Sequence, residues 1–176
     1  GTDPAGVYRA QFIAGVVEAV ALAHAALRPA AAGHAAHPLP EEVFNRRWYL
    51  KPGKMRLNPF GELDQVKMNP GYQNPNIVKP AGPIDPQIGL VAVRHLDGQP
   101  LALLGNYALH YVGGNPGTDV SADYFAMWAD AMTRLAGVCC PDPSIDRPPF
   151  LAMLTNGCSA NVNNIDVRER PRQPYP

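Results

Sequence analysis

The architecture of this chain follows from residues 88–110, which read IGLVAVRHLDGQPLALLGNYALH. Residues 88–96 alternate and are rich in β-branched side chains, a pattern that predicts a β-strand. Asp97 and Gly98 form a dipeptide typical of a tight hairpin turn, and residues 101–109 predict the partner strand. Because this second strand is apolar on nearly every residue up to Asn106, we expect it to be buried on both faces. It delivers His110 at its carboxyl end.

A long helix is predicted before this hairpin. Apolar residues recur at helical spacing over 8–20, so residues 4–28 predict a helix with one buried face. Pro29 is expected to end it, because proline cannot continue a helix. Since Glu18 and His24 interrupt the apolar stretch, we interpret the helix as amphipathic and not as a membrane span.

A second helix and a third strand are predicted after the hairpin. Residues 121–136 predict a helix capped by Ser121 and stopped by Gly137. Its apolar face is expected to contain Tyr124, Phe125, Trp128, Met132 and Leu135. Residues 150–154 predict a short buried strand, which leads into a polar loop at 156–164. The strands at 101–109 and 150–154 would then belong to one sheet and end in polar loops that share a crevice.

The rest of the chain is predicted to consist largely of ordered loops. The 176 residues include 20 prolines and 16 glycines, and prolines recur every few residues over 38–86. Residues 30–40 are interpreted as a surface connection, and residues 43–50 as one short strand. The expected fold is therefore a loop-rich α/β domain with a mixed β-sheet layered with helices. We expect residues 1–176 to be one partial domain, incomplete at both ends.

Composition excludes several classes of protein. Apolar residues make up 46% and charged residues 17%, which is too hydrophobic for an intrinsically disordered chain. Lys and Arg number 15, as do Asp and Glu, so the formal net charge is zero. This balance argues against nucleic acid as a partner and weakens the case for a polybasic lipid contact. The three cysteines, Cys139, Cys140 and Cys158, do not have metal-ligand spacing.

Three features are candidates for chemistry. His110 follows a buried strand, where α/β folds often place site residues. The alternative is a structural histidine that bonds to a backbone carbonyl group. The loop 156–164 contains four asparagines, whose amides suit a substrate carbonyl or a developing oxyanion, or simply stabilise a turn. Arg46 follows Asn45 beside aromatic residues, where arginine binds carboxylates or remains a solvated surface group.

Five motifs occur in an order that resembles one known family. They are FNRRW at 44–48, PAGPIDP at 80–86, NYALHYVGG at 106–114, SADY at 121–124 and NGCSANVNN at 156–164. Together they resemble the catalytic domain of the neutral/alkaline non-lysosomal ceramidases, in the form seen in bacterial ceramidase-like proteins. The resemblance extends over about residues 3–175.

The resemblance implies a secreted or extracytoplasmic zinc amidase that cleaves the N-acyl bond of ceramide into sphingosine and a fatty acid. In that family a zinc-bound water attacks the amide carbon, and two histidines, a glutamate and a tyrosine hold the metal. His110 matches the second zinc histidine, and the other three ligands are expected outside this chain. Arg46, Asn156 and Gly157 are implied as substrate-binding residues. The implied partners are a lipid amide and a membrane surface.

The polar loop departs from the family pattern. Asn163 stands where the best-studied branch has a serine important for activity, and Asn161 where aspartate is usual. We expect these two asparagines to occupy the catalytic positions of a branch with altered substrate. Two alternatives remain open: a non-catalytic lipid- or carbohydrate-binding domain on the same scaffold, or a metal hydrolase for another amide or ester.

Overall fold

The computed structural model of the chain describes residues 4–113, 117–137 and 149–169. The predicted loop-rich α/β fold with a mixed sheet is confirmed. Its elements are helices α1 (Pro4–Ala25) and α2 (Asp123–Leu135) and strands β1 (Ala30–Pro38), β2 (Phe44–Asn45), β3 (Arg47–Leu50), β4 (Lys67–Met68), β5 (Ile77–Pro80), β6 (Gln87–His95), β7 (Pro100–Tyr107), β8 (Leu151–Asn156) and β9 (Val162–Asn163). Gly114, Cys139, Cys140 and residues 170–175 lie outside the described residues.

The main sheet has the strand order β1-β6-β7-β8. β6 and β7 form the predicted antiparallel hairpin, in which the N–H of Gly98 donates to the carbonyl of His95 at 3.0 Å. Gly98 has a φ of 90°, a left-handed conformation that glycine adopts without steric cost. β8 pairs with β7 in parallel, so the sheet is mixed.

Helix α2 connects β7 to β8 and packs on one face of the sheet, against β8. Gly105 of β7 lies under the indole of Trp128, and a Cβ built on it would come within 3.0 Å of that ring. The same Cβ would meet Leu154 of β8 at 2.8 Å. A side chain larger than that of glycine at this position would therefore force Leu154 and Trp128 to shift.

The core lies at the carboxyl end of β7. It consists of Val43, Tyr107, Leu109 and Val162, which are between 1% and 6% exposed. The two-stranded ladder of β2 and β9 brings Val162 to this cluster from the far end of the chain.

The expectation that β7 and residues 150–154 are buried strands is wrong for the face opposite α2. Val91, Leu104 and Met153 are directly paired across three strands and are 42%, 37% and 49% exposed. Directly paired residues share a face of the sheet, and Leu104 points away from the side on which Gly105 meets α2. An apolar row is therefore left uncovered among the described residues.

The prediction of a buried, amphipathic face on the first helix is also wrong. None of the described residues of α1 is buried, and Phe12 and Val17 are 60% and 63% exposed. The apolar side chains point to all sides of the helix, so no single stripe is formed. α1 is long and apolar enough to cross a membrane, a test that core helices and signal sequences pass as well.

Residues 30–40, predicted as a surface connection, instead form the edge strand β1. Its alanines and histidines have weak strand preference, but nine consecutive residues pair with β6. Residues 43–50 form two strands and not one. The chain turns at Arg46, where the Oδ1 atom of Asn45 accepts a bond from the N–H of Arg47 at 2.8 Å.

Helix α2 begins two residues after the predicted cap. Ala122 is its N-cap, and the Oγ atom of Ser121 accepts a bond from the N–H of Asp123 at 3.0 Å. Leu135, expected on the apolar face, is 78% exposed, because the helix packs through its middle and not through its last turn. Gly137 has a φ of 70° and ends the helix as predicted.

Candidate functional site

The parallel pairing of β7 and β8 brings two predicted site segments to one edge of the sheet. Tyr107, three residues before His110, is directly opposite Asn156. The N–H of Gly157 then donates to the carbonyl of Tyr107 at 2.9 Å. A Cβ on Gly157 would lie only 3.2 Å from the backbone of Ala108. Glycine at position 157 therefore allows the polar loop to approach the segment that carries His110.

The loop 156–164 is anchored in the core at its centre. Val162 is 1% exposed and packs in the same cluster as Leu109, which precedes His110. Because neighbouring residues of a strand point to opposite sides, Asn163 is directed away from the core, and the side chain of Asn161 is directed toward Arg47 and Pro83. The structure therefore places both asparagines and His110 next to one hydrophobic anchor.

His110 itself is half-buried. Its Nδ1 atom lies 3.3 Å from the carbonyl oxygen of Tyr111, and the two rings are 4.5 Å apart. An Nδ1–H that donates to this carbonyl leaves Nε2 free to accept a hydrogen bond or bind a metal. The geometry of His110 thus fits a single ligand position.

The described residues do not complete a metal site around it. No group of three or more His, Cys, Asp or Glu residues in 4–113, 117–137 and 149–169 is arranged to hold a metal ion. A zinc site needs three or four protein ligands. This part of the chain therefore does not fit a complete zinc site by itself.

The backbone on both sides of His110 is held by the start of α2. The carboxylate of Asp123 accepts bonds from the N–H groups of Val112 at 3.1 Å and Gly113 at 2.7 Å. The hydroxyl of Tyr124 donates to the carbonyl of Leu109 at 2.7 Å. Both contacts fix the position of the loop that carries His110.

The ionisation of these two groups follows from their surroundings. Partial burial acts to raise the pKa of Asp123, but hydrogen bonds from Gly113, Tyr124 and Val112 hold it below its usual value. Burial, with a further contribution from the Asp123 charge, raises the pKa of the Tyr124 hydroxyl to about 12. Asp123 is therefore a carboxylate and Tyr124 a neutral hydrogen-bond donor at neutral pH.

The structure brings Arg46 and Asn161 together, but their polar groups are engaged within the protein. The N–H of Arg46 donates to the carbonyl of Asn161 at 2.9 Å, and its Nε donates to the carbonyl of Ala160 at 3.0 Å. The Nδ2 atom of Asn161 lies 3.3 Å from the carbonyl of Pro83. These contacts connect the loop 156–164 to β2 and to the proline-rich segment.

Arg47 is the residue that the sequence interpretation passed over in favour of Arg46. It is exposed, its Nη1 atom lies 3.4 Å from Oδ1 of Asn161, and both side chains line a cavity of about 630 Å³. Tyr49 and Met68 form part of the same wall. The signal for Arg47 was the alternation of side chains along strand β3. If Trp48 points to the interior, its neighbour Arg47 must point to the opposite side.

The two remaining predicted residues differ in their surroundings. The Oδ1 atom of Asn163 accepts a bond from the N–H of Asn164 at 2.9 Å, and its Nδ2 lies 3.4 Å from Oδ1 of Asn69. Asn156 is exposed at the carboxyl end of β8. Its amide is presented to solvent at the edge of the sheet where His110 lies.

No protein-family model matches the sequence, and no curated protein matches it.

Proposed function

We propose that this chain is part of a zinc-dependent amidohydrolase that cleaves the N-acyl bond of ceramide or a related lipid amide outside the cytoplasm. The observation that supports it is the parallel pairing of β7 and β8, which places His110 and the loop 156–164 at one edge of the sheet. In α/β folds, substrates bind at the carboxyl ends of neighbouring strands. The motif resemblance assigns the chemistry to that edge.

In this proposal His110 supplies one metal ligand, and the other ligands come from outside residues 1–176. A bound zinc ion would polarise the amide carbonyl and lower the pKa of a water molecule. The residues of this chain bind and orient the substrate. The exposed amide of Asn156 is positioned to donate to a polar group of the substrate, and Arg47 supplies a cation at the neighbouring cavity.

Asn161 and Asn163 act in this proposal mainly by positioning. Asn161 ties the loop to Arg47 and Pro83, and Asn163 bonds to the next residue of the loop. Amide side chains do not ionise, so neither residue serves as a general base. A branch with asparagine at both positions must take its base from elsewhere, which is consistent with a metal-assisted reaction.

The test measures hydrolysis of a labelled N-acylsphingosine by the complete gene product, with zinc content recorded. His110→Ala is compared with His34→Ala, which removes an exposed histidine from the edge strand β1. We expect His110→Ala to lose activity by at least about a hundredfold together with zinc, and His34→Ala to retain both.

Other outcomes separate the alternatives. Full activity in His110→Ala would contradict the assigned role of this residue. Zinc without hydrolysis of N-acylsphingosine would favour a metal hydrolase for another amide or ester, to be identified on a panel of such substrates. A complete protein that binds no zinc would refute the hydrolase proposal and favour a non-catalytic lipid- or carbohydrate-binding domain.

A further inference from the structure

The formal neutrality of the chain conceals a strongly basic region. Residues 46–79 contain seven of the 15 Lys and Arg residues but only two acids, Glu62 and Asp64, of the 15 in the chain. The region therefore has a formal net charge of +5, and the remainder of the chain carries −5. It contains β3, β4 and all but the last residue of β5, and these strands form a three-stranded sheet separate from the main one. An anionic partner would be attracted to this region despite the neutral total.

A cavity of about 430 Å³ opens within the basic region. Lys54, Arg56 and Lys67 line it, and among the residues that the structure describes Asp64 is the one lining carboxylate. Leu50 and Met55 add an apolar wall. A volume of this size is typical of pockets for small organic ligands.

The three cations are available to a ligand. All three residues are exposed, and within the described ranges no ion pair or side-chain hydrogen bond engages the charged groups of Lys54, Arg56 and Lys67. The carboxylate of Asp64, in contrast, accepts a bond from Nδ2 of Asn58 at 3.1 Å. The cavity thus has a net formal charge of +2 and a carboxylate that is already partnered.

Two asparagines give the cavity defined walls. The Oδ1 atom of Asn58 accepts bonds from the N–H groups of Phe60 at 2.9 Å and Glu62 at 3.0 Å, which closes the turn on one side. On the other side, Nδ2 of Asn74 donates to the carbonyl of Pro70 at 2.8 Å, and its Oδ1 accepts from the N–H of Asn76 at 2.9 Å. These contacts hold the proline-rich loops in place before any ligand binds.

We propose that this cavity binds the phosphate group of a phosphorylated small molecule or lipid. Arg56 offers paired N–H donors that match two phosphate oxygens, and Lys54 and Lys67 act as point charges. The organic part of the ligand would lie on Leu50 and Met55. The cavity is not lined by His110 or by the loop 156–164, so the proposal does not depend on hydrolase activity.

Inorganic phosphate is the first probe, titrated into the full chain by calorimetry at low and at physiological salt. Arg56→Gln with Lys67→Gln is compared with Lys51→Gln, which removes a nearby positive charge that does not line the cavity. We expect saturable binding by the wild type, weakened by at least about tenfold in the double variant and by no more than about twofold in the control. Circular dichroism confirms that each variant is folded.

A second arm distinguishes the source of the phosphate group. Vesicles of phosphatidylcholine, with and without phosphatidylglycerol, are tested for co-sedimentation with the same proteins. Binding that needs phosphatidylglycerol and is lost in the double variant identifies a lipid headgroup, whereas phosphate binding without vesicle binding identifies a soluble ligand. The proposal is overturned if the wild type binds phosphate without saturation, or if Lys51→Gln weakens binding as much as the double variant does.

Discussion

Helix α1 and the core at the end of β7 use the same kinds of side chain with opposite results. Val17 of α1 is 63% exposed, whereas Val162, in a loop predicted to be polar, is 1% exposed. The helix has the more apolar sequence, but its side chains point in all directions, and no described element covers it. In the loop, Val162 is placed where β2, β7 and β9 converge.

The difference shows that an apolar residue stabilises this fold only where other elements pack against it, however hydrophobic its own segment is. A valine contributes through the water-exposed area that it loses, and α1 loses little. The region around His110 is therefore expected to be the most resistant to unfolding, and α1 the least. Two comparisons test this difference, and a third tests the pH dependence of the core region.

The largest effect is expected from removing two methyl groups at the centre of the core. Val162→Ala should lower the free energy of unfolding by about 2 kcal/mol, because transfer free energy is lost and a cavity remains. Val17→Ala in α1 should change it by less than about 0.5 kcal/mol, since the side chain is exposed. Urea denaturation of the full chain measures both. Equal effects at the two positions would mean that α1 is covered by packing in solution.

A smaller effect, of opposite sign in the two regions, is expected when glycine is replaced by alanine. Gly105→Ala should destabilise the sheet by about 1.5 kcal/mol, because the new Cβ would crowd Trp128 and Leu154. Gly15→Ala meets no atom within 4 Å and should raise the stability of α1 by up to about 1 kcal/mol. Thermal denaturation followed by circular dichroism reports the first change, and helix content reports the second. A stabilising Gly105→Ala would show that α2 does not approach the sheet this closely.

The smallest effect concerns the pH dependence of the core region. The pKa of Asp123 is lower in the folded chain than in the unfolded one, so its contribution to stability is present above the unfolded pKa. That contribution is lost as the pH falls through the folded pKa. Asp123→Asn should remove the corresponding part of the decrease in stability below about pH 4. Asparagine also tolerates the left-handed φ of 55° at this position.

Asp85→Asn serves as the control, because it removes a carboxylate whose bond to the N–H of Gln87 is local and exposed. Stability is measured by urea denaturation between about pH 2.5 and 7. An unchanged pH profile in Asp123→Asn would contradict the role assigned to the bonds with Val112 and Gly113.

The sequence predicted the hairpin and its connection to His110 because the signals were local. Asp97 and Gly98 specify the turn through their own backbone preferences. The apolar residues of 101–109 predict a strand without reference to any distant part of the chain. Strand β1 was missed because its alanines have weak strand preference, and only its partner β6 makes it a strand. The exposure of α1 and of one face of the sheet could likewise not be predicted, because burial depends on which other elements pack there.

The candidate site was predictable in its location and less so in its detail. Polar loops after two strands of one sheet indicated a shared edge, where the structure places His110 and the loop 156–164. The choice between Arg46 and Arg47 follows from the alternation of β3 only after Trp48 is assigned to the interior, and that assignment depends on what packs against Trp48. The basic cavity was not predicted because the net charge is a sum over the whole chain and hides a local excess of positive charge. Lys54, Arg56 and Lys67 line one cavity only in the folded structure.

The pairing of β2 with β9 also determines when this site is assembled during synthesis. Phe44 pairs with Asn163, 119 residues later in the chain. At the usual rate of translation, residues 44–45 wait roughly 6 to 24 s before their partner strand leaves the ribosome. Until then Val43 and Tyr107 lack Val162, so the hydrophobic anchor beside His110 stays open to solvent and to other chains. Aggregation during synthesis is therefore expected to begin at this region, and slower translation before residue 163 should increase it.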